Sequence, residues 1–190
     1  MKSSRFVFLF TILFSFIIVK AQSHCDTLSS FYKDASAVNK DDVICLSKNS
    51  NKEKSLFYTF GIWCSPCRAH LPNAIKLAKD YNLDFYVLLI EKENSEKTKN
   101  AIDYLKNIEK TIKVLILKDI TYGTKAGSKY KKFLKEITPA NFENIDDMSK
   151  YILVNKQGKI VMVTNWKDNR ENNWKDDSEM IKKRILPVLN

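Results

Sequence analysis

The chain has 190 residues, enough for one domain with a sizeable core, and 44% hydrophobic against 28% charged residues excludes a disordered chain. Four glycines and four prolines argue against a long linker, and no internal repeat or low-complexity block is present. The formal charge of +10 is spread along the chain with no nucleic-acid-binding module, which describes a solvated basic surface or one drawn to acidic partners or an anionic membrane face, and no nucleic-acid partner.

Residues 1–21 read as a secretory signal peptide, with Lys2 and Arg5 ahead of an apolar run from Phe6 to Val19 and a Val19-Lys20-Ala21 cleavage boundary. The run is shorter than the ~20 residues of a membrane span. Cleavage after Ala21 leaves residues 22–190 as a single domain of charge +7, exported to the periplasm or cell envelope. An uncleaved leader would instead anchor it to the membrane. Gln22-Ser23-His24 lacks the leucine and small residues that would precede a lipidated Cys25.

The elements follow in order. A helix is expected over Asp26–Val38 and a short strand over Val43–Leu46, then a polar turn. Ser55–Ile62 is an aromatic-rich strand. After it comes Trp63-Cys64-Ser65-Pro66-Cys67-Arg68, then a helix to Tyr81 with Leu71, Ala74, Ile75 and Ala78 on one face and a kink at Pro72. Phe85–Ile90 does not alternate, as befits a strand buried on both faces. A helix over Ser95–Lys110 and a strand over Val114–Leu117 complete strand–helix–strand units of an α/β core. Gly123 and Gly127 mark a loop, Ser128 caps a helix carrying Tyr130, Phe133, Leu134 and Ile137, and Thr138-Pro139 ends it. After an acidic loop, Tyr151–Val154 and Lys159–Val163 form a hairpin across Gly158. Residues 166–176 are polar and irregular, and Ser178–Leu189 is a last helix.

Strand, C-x-x-C, helix places Cys64 at a helix N-terminus, where unpaired N–H groups and the helix dipole favour the thiolate. Cys67, one turn in, is the more buried, resolving thiol. A zinc site would need two more ligands, and Cys25, Cys45, His24 and His70 form no second close pair, so no metal is expected. Cys25 and Cys45 read first as a structural disulfide of an exported chain; two free thiols or a second redox relay are the alternatives. His70 reads as a surface or partly packed residue without a catalytic role. Arg68 either favours the thiolate through space or is a solvated helix arginine.

Trp63-Cys64-Ser65-Pro66-Cys67-Arg68 followed by Pro72, together with Tyr151-Ile-Leu-Val-Asn-Lys-Gln-Gly-Lys-Ile-Val161, resembles the thioredoxin superfamily, and most closely its exported TlpA/ResA-like thiol–disulfide oxidoreductases. The likeness spans roughly residues 41–165. It implies a thioredoxin-like three-layer α/β fold, a central mixed β-sheet flanked by helices. It also implies a redox disulfide between catalytic Cys64 and Cys67 and no dissociable cofactor. The partners would be thiol- or disulfide-bearing client proteins and a membrane or periplasmic electron-exchange partner, with the chain itself a monomer. Ser65 and Pro66 would tune the redox poise, and Trp63 would serve as packing and as a platform beside the sulfur. Two positions depart from the family. Ser149 stands where a cis-proline usually faces the reactive cysteine, and its peptide should be trans; Pro139 could serve only across about ten residues of loop. Tyr58 stands where thioredoxins carry a buried proton-transferring aspartate. These departures leave a second reading, a thioredoxin-like module that binds a client protein without turnover.

Overall fold

The computed structural model describes residue 25 and residues 30–33, 35–170 and 173–189. The expected leader lies outside them. Where a helix was expected over Asp26–Val38, the described residues form strands β1 (Ser30–Tyr32) and β2 (Ala35–Val38), paired antiparallel. Of the apolar residues that suggested a helical face, Tyr32 lies in the edge strand β1 and Ala35 is buried in β2. Val43–Leu46 is likewise not a strand but the middle of helix α1 (Lys40–Lys48). Here local chemistry outweighs the apolar run. Asn39 accepts from the Asp42 N–H while the Asp42 carboxylate accepts from the Asn39 N–H, a reciprocal cap, and Asp41 and Asp42 sit at the positive end of the dipole.

The remaining elements are β3 (Lys54–Phe60), α2 (Ser65–Asp80), β4 (Asp84–Leu89), α3 (Glu96–Ile108), β5 (Lys113–Leu117), α4 (Asp119–Tyr122), α5 (Ala126–Ile137), β6 (Tyr151–Asn155) and β7 (Ile160–Val163). The chain closes with α6 (Ser178–Met180), a π-turn over Ile181–Ile185 and α7 (Leu186–Leu189). Two local expectations shift. α5 starts before Ser128, with Lys125 at its N-cap, and the segment expected to be irregular holds a 3₁₀ turn at Trp166–Asn169, capped by Asn165.

Among the described residues one seven-stranded mixed sheet runs in the order β1-β2-β5-β4-β3-β6-β7. β2, β5, β4 and β3 are parallel; β6 and β7 join antiparallel beside β3, and β1 closes the other edge antiparallel. Both faces of β3 are buried. Leu56, Tyr58 and Phe60 pack with Leu71, Ala74, Ile102, Leu105 and Ile185 from α2, α3 and the C-terminal helix. Phe57 packs with Val43 of α1 and with Tyr130, Phe133 and Ile137 of α5. The result is the three-layer thioredoxin-like fold, a central mixed sheet flanked by helices. In the β6–β7 turn Gly158 adopts φ +79°, with Ile44 and Lys48 of α1 where a Cβ would project.

Candidate active site

Cys64 is the N-cap of α2, with Ser65 and Pro66 opening the helix. A turn from Gly61 delivers it: the Cys64 N–H donates to the Gly61 carbonyl at 2.9 Å. Glycine leaves room there for the Trp63 ring, which would lie 2.9 Å from an added Cβ, with Glu91 Oε1 at 3.2 Å. The Cys64 Sγ accepts from the Cys67 N–H at 3.1 Å, so a helix-terminal donor points at the sulfur. The structure joins Cys64 and Cys67 in a disulfide, Cα atoms 5.2 Å apart. Cys64 retains 6% exposure and Cys67 none. Trp63 is half exposed beside them. Arg68 donates to the Ile62 carbonyl at 2.9 Å, holding the loop before the motif.

Cys64, Pro66 and His70 form one side of a cavity of about 420 Å³; Met148 and Ser149 form another, and Trp166, Arg170 and Trp174 of the segment after β7 close it. Ser149 thus shares a cavity with Cys64. No peptide bond is cis among the described residues, and Pro139, which follows the C-cap of α5, does not line the cavity. Ser149 has φ +67°, a left-handed conformation costly for a non-glycine residue. The backbone beside it is tied down by the Lys150 N–H donating to Thr59 Oγ1 at 2.9 Å and the Thr59 N–H donating to the Lys150 carbonyl at 3.0 Å.

Tyr58 is not merely core. Its hydroxyl donates to the Cys67 carbonyl at 2.9 Å and lies 2.7 Å from Ser149 Oγ. Burial pushes the phenol well above its ordinary range, with the Ser149 hydrogen bond opposing and the charge of Asp177 adding to the rise. His70, expected at the surface or partly packed, is 5% exposed. Its Nδ1 lies 2.9 Å from Ser149 Oγ, and its Nε2 lies 2.8 Å from the Trp174 carbonyl. Behind it sits Asp177, fully buried, which accepts from Tyr151 Oη at 2.5 Å and Asn73 Nδ2 at 2.6 Å. Sequence reading missed Asp177, Trp166, Trp174 and Arg170 because they lie in a segment whose polarity gives no periodic signal.

Glu91, just after β4, is a second buried carboxyl near the motif; it is 3% exposed and its Oε1 has no hydrogen-bond partner. Burial raises its pKa, opposed by its own and the Ile90 N–H, then by the nearby Trp63 indole and Lys129 ammonium. A raised folded-state value means its favourable contribution exists at low pH and is lost as pH rises through that value. Glu91→Gln is therefore expected to stabilise the protein at pH 7 by about 1 kcal/mol or more. The gain should vanish below about pH 4.3, and urea denaturation at the two pH values measures it.

At the far side of the fold Cys25 and Cys45 of α1 are joined in a disulfide, with Cα atoms 5.9 Å apart and a sequence separation of 20. Cys25→Ala/Cys45→Ala is expected to lose about 3 kcal/mol of stability in urea melts. Among the described residues no group of three or more His, Cys, Asp and Glu side chains converges to hold a metal, and no helix is long and apolar enough to cross a membrane.

The redoxin family profile matches residues 21–180, and the chain belongs to that family. The resemblance to the thioredoxin superfamily is thereby borne out. Over 103 residues the chain is 32% identical to the F-type chloroplastic thioredoxin of Spinacia oleracea, a match covering 54% of this chain and 53% of that protein. The chain thus spans about half the length of this curated relative. Among solved structures it is similar to a thioredoxin-family thiol:disulfide interchange protein of Chlorobium tepidum, at 14% identity and TM-score 0.44, covering 73% of this chain and 81% of that one. It is also similar to StoA of Bacillus subtilis, at 14% identity and TM-score 0.39, covering 67% and 86%.

Proposed function

We propose that the chain is an exported thiol–disulfide oxidoreductase that exchanges disulfides with client proteins through Cys64 and Cys67. The observation that carries this reading is the asymmetry of the pair. Cys64 caps α2 at the edge of a cavity with a backbone N–H on its sulfur, and Cys67 is sealed behind it. In the reduced protein the Cys64 thiolate attacks a client disulfide, one client sulfur leaves as a thiolate, and a mixed disulfide forms. The Cys67 thiolate then attacks the Cys64 sulfur, closing the internal disulfide and releasing the second client sulfur. The reverse sequence donates a disulfide.

Trp63, Ser65, Pro66 and Ser149 form the rim on which the client sulfur docks. Export is supported by the leader-like residues 1–21, by a family match that starts at residue 21, and by the Cys25–Cys45 disulfide, which suits an oxidising compartment. An electron-exchange partner in the membrane or periplasm resets the pair. The reduced protein is expected to cleave insulin disulfides catalytically with DTT as the terminal reductant, and Cys64→Ser to abolish turnover. Binding of clients by a wild type that never turns over would support the binding-module reading instead, the one favoured by the departures at Tyr58 and Ser149.

A further inference from the structure

Four contacts run in series from the reactive turn into the core. The Cys67 carbonyl accepts from Tyr58 Oη at 2.9 Å, and Tyr58 Oη lies 2.7 Å from Ser149 Oγ. Ser149 Oγ lies 2.9 Å from His70 Nδ1, and His70 Nε2 lies 2.8 Å from the Trp174 carbonyl. Each contact needs one proton, and the two carbonyls at the ends have none to give. Tyr58 spends its only hydroxyl proton on Cys67, so Ser149 must donate to Tyr58. Ser149 then has nothing left for His70, so Nδ1 must carry a hydrogen. Nε2 must carry one too, to reach Trp174. All four bonds are made at once only if the ring holds both protons. The compensating charge is present: Asp177 Oδ2 lies 3.6 Å from Nδ1, and both Asp177 oxygens already accept hydrogen bonds, from Tyr151 and from Asn73, as a carboxylate does.

We propose that His70 is the proton store of the Cys64–Cys67 site, an imidazolium held by Asp177 that passes its Nδ1 proton through Ser149 and Tyr58 to Cys67 when the disulfide opens. The inference rests on the oxidoreductase reading above. A reducing thiolate attacks Cys64 Sγ and forms a mixed disulfide; the Cys64–Cys67 bond breaks, and Cys67 leaves with the electron pair as a thiolate. The Cys67 side chain, freed from Cys64, swings to the Tyr58 hydroxyl beside its own carbonyl and takes the proton from it. Ser149 re-protonates Tyr58, and His70 Nδ1 re-protonates Ser149. His70 is left neutral with its Nε2 proton still on Trp174. On closure the Cys67 thiol gives the proton back along the same chain and attacks Cys64 as a thiolate. The short range fits, since His70 follows Cys67 by three residues on α2 and lies on the same helical face. Burial keeps Tyr58 a phenol, so it passes a proton on without acting as the acid itself.

The test is single-turnover opening of the oxidised protein by DTT, followed by tryptophan fluorescence. His70→Ala should slow it by about tenfold or more. Added imidazole, entering the space left on the cavity wall, should restore most of the rate. Ser149→Ala keeps the ring and breaks the relay; it should be slowed similarly and gain nothing from imidazole. Ring-nitrogen NMR of the oxidised wild type at neutral pH, assigned by its loss in the His70→Ala protein, should show both nitrogens of His70 protonated. A bare ring nitrogen overturns the proposal whatever the variants do. So does His70→Ala within threefold of wild type, a slow His70→Ala that imidazole does not rescue, or an unaffected Ser149→Ala. These failures leave wild-type turnover of insulin disulfides intact, whereas absence of that turnover defeats the oxidoreductase reading itself.

Discussion

Cys67→Ser, purified from its native compartment with thiol exchange blocked, is expected to carry client proteins on Cys64 in adducts that DTT releases. In the proposed exchange Cys64 attacks first, because that residue retains some exposure and a helix-terminal N–H points at its sulfur. With the resolving sulfur gone, the mixed disulfide has no internal nucleophile to break it. Cys64→Ser should trap little, since Cys67 is fully buried and lacks the N-cap position. The expected difference is between near-complete and trace occupancy on non-reducing gels, and mass spectrometry of the adducts names the clients. Equal trapping by both variants would contradict the assigned roles.

The largest effect on stability is expected at Lys150. Its side chain is 1% exposed, its ammonium lies 2.5 Å from Asp147 Oδ1, and it donates to the Thr164 carbonyl at 3.0 Å. Asp147 Oδ2 accepts the Trp166 N–H at 2.6 Å, so the pair also fixes one wall of the cavity. Burial dominates both partners, lowering the lysine and raising the aspartate despite their attraction. Lys150→Met leaves the Asp147 charge without its counter-ion, at a cost of about 3–5 kcal/mol. In a thermal melt this is a fall of roughly 10 °C. Because the folded-state pKa of Asp147 is raised, the deficit should be greatest at neutral pH and shrink as acid neutralises that carboxyl. Lys150→Met/Asp147→Asn should recover most of the loss. A single-variant loss under about 1 kcal/mol would show that the fold relaxes around the unpaired carboxylate.

The parts of the fold that the sequence makes legible have strong periodicity or strong punctuation. β3 and the α2 motif are framed by an aromatic run, a C-x-x-C and a helical apolar face; β4, α3, β5 and the β6–β7 hairpin carry comparable signals. The N-terminal part misleads for two separate reasons. Ala35, Ala37 and Val38 are small and apolar and fit a helix face as well as a buried strand. Val43–Leu46 looks like a strand until the Asn39–Asp42 cap is weighed against it.

At the site, local motif chemistry identifies Cys64 and Cys67, and hairpin alignment leads to Ser149. The His70 environment is not legible in this way. Its partners come from the turn before β6 and the segment before α6, and Asp177 lies 107 residues downstream in a stretch without pattern. A lone histidine on a helix gives no sign that a serine and a buried carboxylate close around it. The register of β3 against β6, which pairs Tyr58 with Tyr151, sets Tyr58 beside Ser149, and the long-range packing of α2 and the segment before α6 adds His70 and Asp177.

The central claim is that Cys64–Cys67 is a redox couple and not a permanent bond. The most direct measurement equilibrates the protein in glutathione and DTT buffers of graded potential and counts thiols by alkylation and mass. A two-electron transition between about −120 and −270 mV, adding two thiols per chain that map to Cys64 and Cys67, is the predicted result. A pair that stays closed below about −300 mV, as structural disulfides do, would contradict it.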